Sequence, residues 1–141
     1  MAAPLSRLNV CGRSFVSGRQ DFQGAVSYTP IENDSATDVY IDWSKGNRQV
    51  LTLTADVNVY LTSPYNGTFH LLVQQEGDWV VTWMVNDTDL PVVAWTDGAP
   101  LVVTTGGTEE APVYDTFSFS YWEELSIYIA MGTQNCSVPT V

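Results

Sequence analysis

Few side chains in this sequence can do covalent chemistry. There is one histidine, His70. It stands between Phe69 and Leu71 in an alternating run, so in a strand it faces away from both. No Ser-His-Asp or Cys-His arrangement can be built without it, and a surface or structural imidazole accounts for it with fewer assumptions than a general base. A glycosidase pair could be drawn from Glu109, Glu110, Asp115, Glu123 and Glu124. Nothing in their spacing sets two of them across a groove, and acidic loops commonly only solvate a surface. Asp87-Thr88-Asp89 and Glu109-Glu110 offer carboxylates to Ca²⁺, but neither supplies enough spaced oxygens for a loop site. Cys11 and Cys136 lie near opposite ends without a C-x-x-C neighbour, which argues against zinc or redox work. A bond between them would close nearly the whole chain; free thiols are the expectation for a cytoplasmic product. The chain is therefore expected to be no enzyme and to carry no cofactor or metal.

The elements that would position any site are strands. Thr37–Trp43 alternates Val39, Ile41 and Trp43 against Asp38, Tyr40 and Asp42. Ser44–Arg48 is a turn built on Gly46-Asn47, followed by strands over 49–54 and 56–61 and a second turn over 62–67. Phe69, Leu71 and Val73 then face Trp79, Val81 and Trp83 across a short polar connection, Gln74–Asp78, which predicts a hairpin. Strands over 92–95, 101–104, 114–121 and 125–131 complete the series. With eight or nine short strands, frequent turns and no helical stripe, the expected fold is all-β: a β-sandwich, jelly-roll-like, over residues 36–141. Trp43, Trp79, Trp83 and Trp95 follow strand alternation or a corner and are expected mostly in the core. Trp122-Glu123-Glu124 falls at a strand-to-strand turn, where the ring could be exposed as a contact residue.

Residues 1–35 are different. Leu5, Leu8, Val10, Phe15, Val16, Phe22, Val26 and Tyr28 are scattered among Gly, Ser and Pro with no period. The stretch reads as an extended N-terminal arm that gains order by lying on something larger. Charge divides along the same line. The formal net charge is −11, yet Arg7, Arg13 and Arg19 stand in residues 1–20 without one acid, and no Lys or Arg follows Arg48. Such an acidic body repels nucleic acid and anionic membrane, and solubility alone would explain it. A sharper reading pairs the basic arm with an acidic protein surface. There is no apolar run long enough to span a membrane and no secretory h-region, so synthesis in a cytoplasm is expected. The four Asn-x-Ser/Thr sites, at Asn33, Asn66, Asn86 and Asn135, carry little weight in that setting.

The stretch 49–132 resembles a family of small β-sandwich domains in bacteriophage virion proteins, found in tail fibres and capsid decoration proteins. The resemblance rests on Gly67, Phe69–Gln74, Gly77, Val81-Thr82-Trp83, Trp95-Thr96-Asp97-Gly98, Pro100-Leu101, Thr104-Thr105 and Asp115–Tyr121. It departs at Met84, where a Pro is usual, and at Trp122-Glu123-Glu124, where a Gly turn is usual. These motifs are structural rather than catalytic. What the resemblance implies is a homotrimeric virion building block. A chain of 141 residues with a short arm suits a decoration (cement) protein, whose partner is the major capsid protein. Arg7, Arg13 and Arg19 would then supply charged contacts, and Leu5, Leu8 and Phe15 burial, with Trp122, Glu123 and Glu124 as possible surface contacts. The alternative is a tail-fibre domain that touches a host glycan.

Overall fold

The computed structural model describes residues 31–34, 37–62, 66–84 and 92–137. Among these residues nine strands lie in two sheets: β1 (Ile31–Asp34), β2 (Asp38–Ile41), β3 (Arg48–Leu53), β4 (Val57–Leu61), β5 (Gly67–Gln75), β6 (Val81–Met84), β7 (Val92–Trp95), β8 (Val113–Trp122) and β9 (Ile127–Ser137). One sheet has six strands in the order β1-β3-β5-β8-β9-β7, the other three in the order β2-β4-β6. The all-β sandwich expected from the alternation is present, with a connectivity of its own. A jelly roll pairs its strands antiparallel, whereas here β1, β3 and β5 run parallel, as do β2, β4 and β6. From β1 to β6 the chain changes sheet at every strand, so it winds as a flattened coil. Each return to a sheet must then arrive parallel. Ile31 beside Gln49 beside Leu71 marks one wall of the coil, and Asp38 beside Asn58 beside Thr82 the other. The strand β1 falls at the end of the stretch read as an arm.

The expected hairpin is corrected. Strands β5 and β6 belong to different sheets, and β5 pairs antiparallel with distant β8, Phe69 against Phe119 and Leu71 against Phe117. Alternation with period two serves a strand facing across a sandwich as well as one folded back in the same sheet, so it could not separate the two. The crossing is held by backbone bonds. Val57 N–H donates to Val80 O at 2.9 Å, and Val80 N–H to the Asp56 carboxylate at 2.8 Å. Buried Gln75 clamps the same corner, its amide donating to Trp79 O at 2.7 Å.

The core lies between the sheets. Val39, Ile41, Leu51, Leu53, Val59, Leu71 and Val73 fill the coil, while aromatic rings dominate beneath β8 and β9. Trp43 stacks on Phe69 at 4.9 Å, Trp83 meets Phe117 edge-on at 5.0 Å, and Tyr121 sits 4.8 Å from Tyr128. Trp43, Trp83 and Trp95 are buried as expected; Trp79 is not, at 38 % exposed.

The smaller sheet has no strand to cover β8 and β9, and residues 100–107 take that place. The expected strand over 101–104 has no ladder partner among the described residues. Side chains satisfy its backbone instead: the Trp83 indole donates to Leu101 O at 2.9 Å, the Gln134 amide to Val102 O, and Thr104 N–H donates to Asp115 at 2.5 Å. Asp115 is buried and also accepts from Asn135 N–H at 2.7 Å. It can do so because β9 carries a bulge there: Thr116 pairs with Thr133 and Tyr114 with Cys136, so Gln134 and Asn135 oppose one residue. Asn135 takes the left-handed conformation (φ 58°) that Asn tolerates better than most. Two glycines permit the close approach. A Cβ on Gly107 would lie 2.0 Å from Gln75 O, and one on Gly132 2.6 Å from the Leu101 methyl Cδ1.

Candidate functional site

The outer face of the six-stranded sheet is the richest surface of the described molecule. It is built from the alternate positions that the core leaves over, and it divides in two. On β3, β5 and β8 the outward residues include Arg48, Thr68, His70, Thr116, Ser118 and Ser120. On β9 and β7 they are Ile127, Ile129, Met131, Val92 and Ala94. Ile129 is 48 % exposed, Met131 59 % and Val92 50 %, a contiguous apolar strip because Val92 pairs with Ile127 and Ala94 with Ile129. A sheet face this dry, next to a polar one, is a surface suited to another protein.

The polar half is concave. One depression is lined by residues including Arg48, Thr68, His70, Leu72, Thr116 and Ser118. A second, lined by Asn66, Thr68, Ser120, Trp122 and Glu124, shares Thr68 with it, so the two run on as one track. Register places Arg48 beside His70 and His70 beside Ser118. The imidazole Nδ1 lies 3.1 Å from the Ser118 hydroxyl. The pair has the atoms of a Ser-His dyad, but among the described residues no carboxylate accepts from the imidazole to orient it. Open to solvent on a sheet face, the arrangement offers hydrogen bonds and charge rather than a nucleophile.

Trp122 is 51 % exposed, as its place at a turn suggested. Glu123 and Glu124 begin the one-turn 3-10 segment Glu123–Leu125 and are exposed. Asn66 ties them to the start of β5: Glu123 N–H donates to the Asn66 side-chain Oδ1 at 2.6 Å, and Asn66 Nδ2 donates to the Glu124 carboxylate at 3.3 Å. Of the other carboxylates weighed as acids, Asp115 is the buried bracket described above, and Glu109 and Glu110 sit exposed in a loop. Among the described residues no three metal-ligating side chains gather. Cys136 is an exposed free thiol. Leu5, Arg7, Leu8, Arg13, Phe15 and Arg19, with Cys11, Asp87 and Asp89, lie outside the described residues.

Two perturbed groups lie elsewhere and are structural. Asp42 accepts from the Ser44 hydroxyl at 2.6 Å and from Ser44 N–H at 3.0 Å, and the hydroxyl above all pulls its pKa below the ordinary value. Burial pushes the Tyr128 phenol well up, and the neighbouring Trp43 indole, which favours the phenolate slightly, does not offset it. The Tyr128 hydroxyl donates to Thr62 O.

No family model, curated protein or solved structure matches this chain. Sequence reasoning found Trp122 but missed Arg48 and Ser118, which come together only through β5. It also missed the apolar strip, because Ile127–Met131 is apolar on both faces and does not declare which one is outside.

Proposed function

We propose that the chain is a bacteriophage capsid decoration protein, a homotrimer that binds the outer surface of the assembled shell and stabilises it. The observation that carries this reading is the strip of Val92, Ile129 and Met131, aliphatic side chains held in register on a rigid sheet with no covering layer among the described residues. The resemblance of residues 49–132 to virion sandwich domains supports it, as does the poverty of catalytic side chains. In this reading the strip packs on a sister subunit or the major capsid protein. Arg7, Arg13 and Arg19 of the arm meet acidic groups on the shell, while Leu5, Leu8 and Phe15 are buried there. Binding energy gained only on the intact shell stabilises that shell by mass action. The protein acts at the virion surface after synthesis in the host cytoplasm.

Mixing purified protein with shells that lack it, followed by electron cryomicroscopy, tests the proposal. Density at threefold or quasi-threefold positions is expected; bare shells at saturating protein would overturn it. Removal of residues 1–20 is expected to abolish shell binding while the sandwich stays folded. A second reading, a tail-fibre or receptor-binding domain on a host glycan, is favoured by the polar track that ends at Trp122, and cell binding by the purified trimer would support it.

A further inference from the structure

We infer that the polar track on the outer face of β3, β5 and β8 is a binding site for a carboxylated oligosaccharide. The acidic group would lie at Arg48 and His70, and a sugar ring on Trp122. The inference rests on the second, glycan-binding reading of this track and is independent of the capsid reading, since neither the apolar strip nor the arm enters it.

Charge sets one end. In a chain with formal net charge −11, Arg48 and Lys45 are the only described Lys or Arg residues, and His70 is the sole histidine. Register brings Arg48 and His70 side by side on neighbouring strands. Among the described residues Arg48 has no ion-pair partner, although carboxylates outnumber cations severalfold. A guanidinium left open beside an imidazole and the Ser118 hydroxyl presents forked donors suited to a carboxylate. The depression beneath them is mixed, with Val50 and Leu72 beside Thr68, Thr116 and Ser118, whose hydroxyls can both donate and accept, as sugar hydroxyls require.

An aromatic ring sets the other end. On β8, Ser118, Ser120 and Trp122 point the same way, so the ring stands about 13 Å along the strand from Ser118. Arg48 lies two strands over, about 10 Å to the side. Hydroxyls fill the interval: those of Thr68 and Ser120 share a hydrogen bond at 3.5 Å, a long one in which each oxygen keeps a lone pair for a ligand. The distance suits several linked rings rather than one. Half-exposed Trp122 gives a flat apolar platform for the weakly polar face of a sugar. Glu124 beside it fixes the polarity of the ligand, because its carboxylate repels an acid at that end. The carboxylated residue is thereby directed to Arg48 and a neutral ring to Trp122.

Titration of the full chain with a panel of oligouronate and sialyl oligosaccharides, each beside its methyl-ester counterpart, tests this. Binding is followed by isothermal calorimetry and by backbone amide shifts. At least one acid form is expected to bind with a submillimolar Kd and to move amides at Arg48, His70, Ser118 and Trp122. Its methyl ester, which keeps the sugar and loses the charge, should bind about tenfold more weakly or worse. Arg48→Gln and Trp122→Ala should each weaken binding by a similar factor at unchanged melting temperature, whereas Glu124→Gln should leave it equal or tighter. Equal affinity for acid and ester, unchanged binding by Arg48→Gln, shifts confined to another face, or no submillimolar binding across the panel would each overturn the inference.

Discussion

The parallel coil, β1 to β6, and the mixed end, β7 to β9 with residues 100–107, where β8 runs antiparallel to β9 and β7 parallel to it, solve the same problem by different means. In the coil each strand lies on its predecessor two elements back, and aliphatic side chains repeat down the stack. Backbone ladders do most of the holding. At the mixed end a segment without ladder partners among the described residues is fastened by Trp83, Gln134 and Asp115, over two glycines that let backbone and side chain approach closely. Stability in the first region is distributed, and in the second it is concentrated in single groups. Their outer faces differ as well, polar and cationic where the coil meets β8, apolar along β9 and β7. The difference teaches that loss of structure and loss of binding should separate by region.

The sharpest break is expected at Gly107. Gly107→Ala puts a Cβ against Gln75 O with no flexible atom to yield. It should cost about 3 kcal/mol or more, measured by denaturant unfolding. Next comes Asp115→Ala, which strands two part-buried backbone donors and should cost about 2 kcal/mol. Its counterpart in the coil, Asp42→Ala, removes an exposed cap and should cost about 1 kcal/mol or less. Because the Asp42 pKa is lowered in the fold, its contribution is present above 3.8 and is lost as pH falls through the folded value; the variant should show a shallower acid limb. If Asp42→Ala proved as damaging as Asp115→Ala, the contrast between the regions would fail.

Tyr128 tests the seam between them from the alkaline side. Its phenol is raised above the ordinary 10.0, so the fold prefers the neutral form. That preference is fully present below pH 10.0 and is lost as pH rises toward the folded value. Tyr128→Phe should cost about 1 kcal/mol at neutral pH, from the lost bond to Thr62, and should flatten the decline above pH 10.0 seen in wild type by thermal melting. The smallest effect on stability is expected on the apolar strip. Met131→Lys should change stability by no more than about 0.5 kcal/mol, yet weaken shell binding or trimer formation measured by sedimentation. Full binding by that variant would remove the strip from the interface.

Much of this architecture was legible in the sequence. Val39, Ile41 and Trp43, then Phe69, Leu71 and Val73, then Phe117, Phe119 and Tyr121, each repeat with period two, with polar or amphipathic neighbours everywhere but Leu72, and each lies in the core as that period demands. Trp122 broke the pattern at a turn and is exposed. Alternation reports which face of a strand is buried; it does not report the strand's neighbour. The same residues would fit β5 against β6 in one sheet or in two, so the coil could not be read. The hydrogen bonds that Asp115 accepts from and Gln134 donates to the 101–104 segment join residues 11 and 32 positions apart, and no local pattern announces them. Arg48, His70 and Ser118 are ordinary outward residues on three strands until pairing aligns them. The sequence by itself determined an all-β sandwich, its core faces and its charge division, because these depend on side-chain chemistry at period two. Tertiary structure decided the parallel coil, the bracket at Asp115 and the two-part outer face, because each depends on which strands meet.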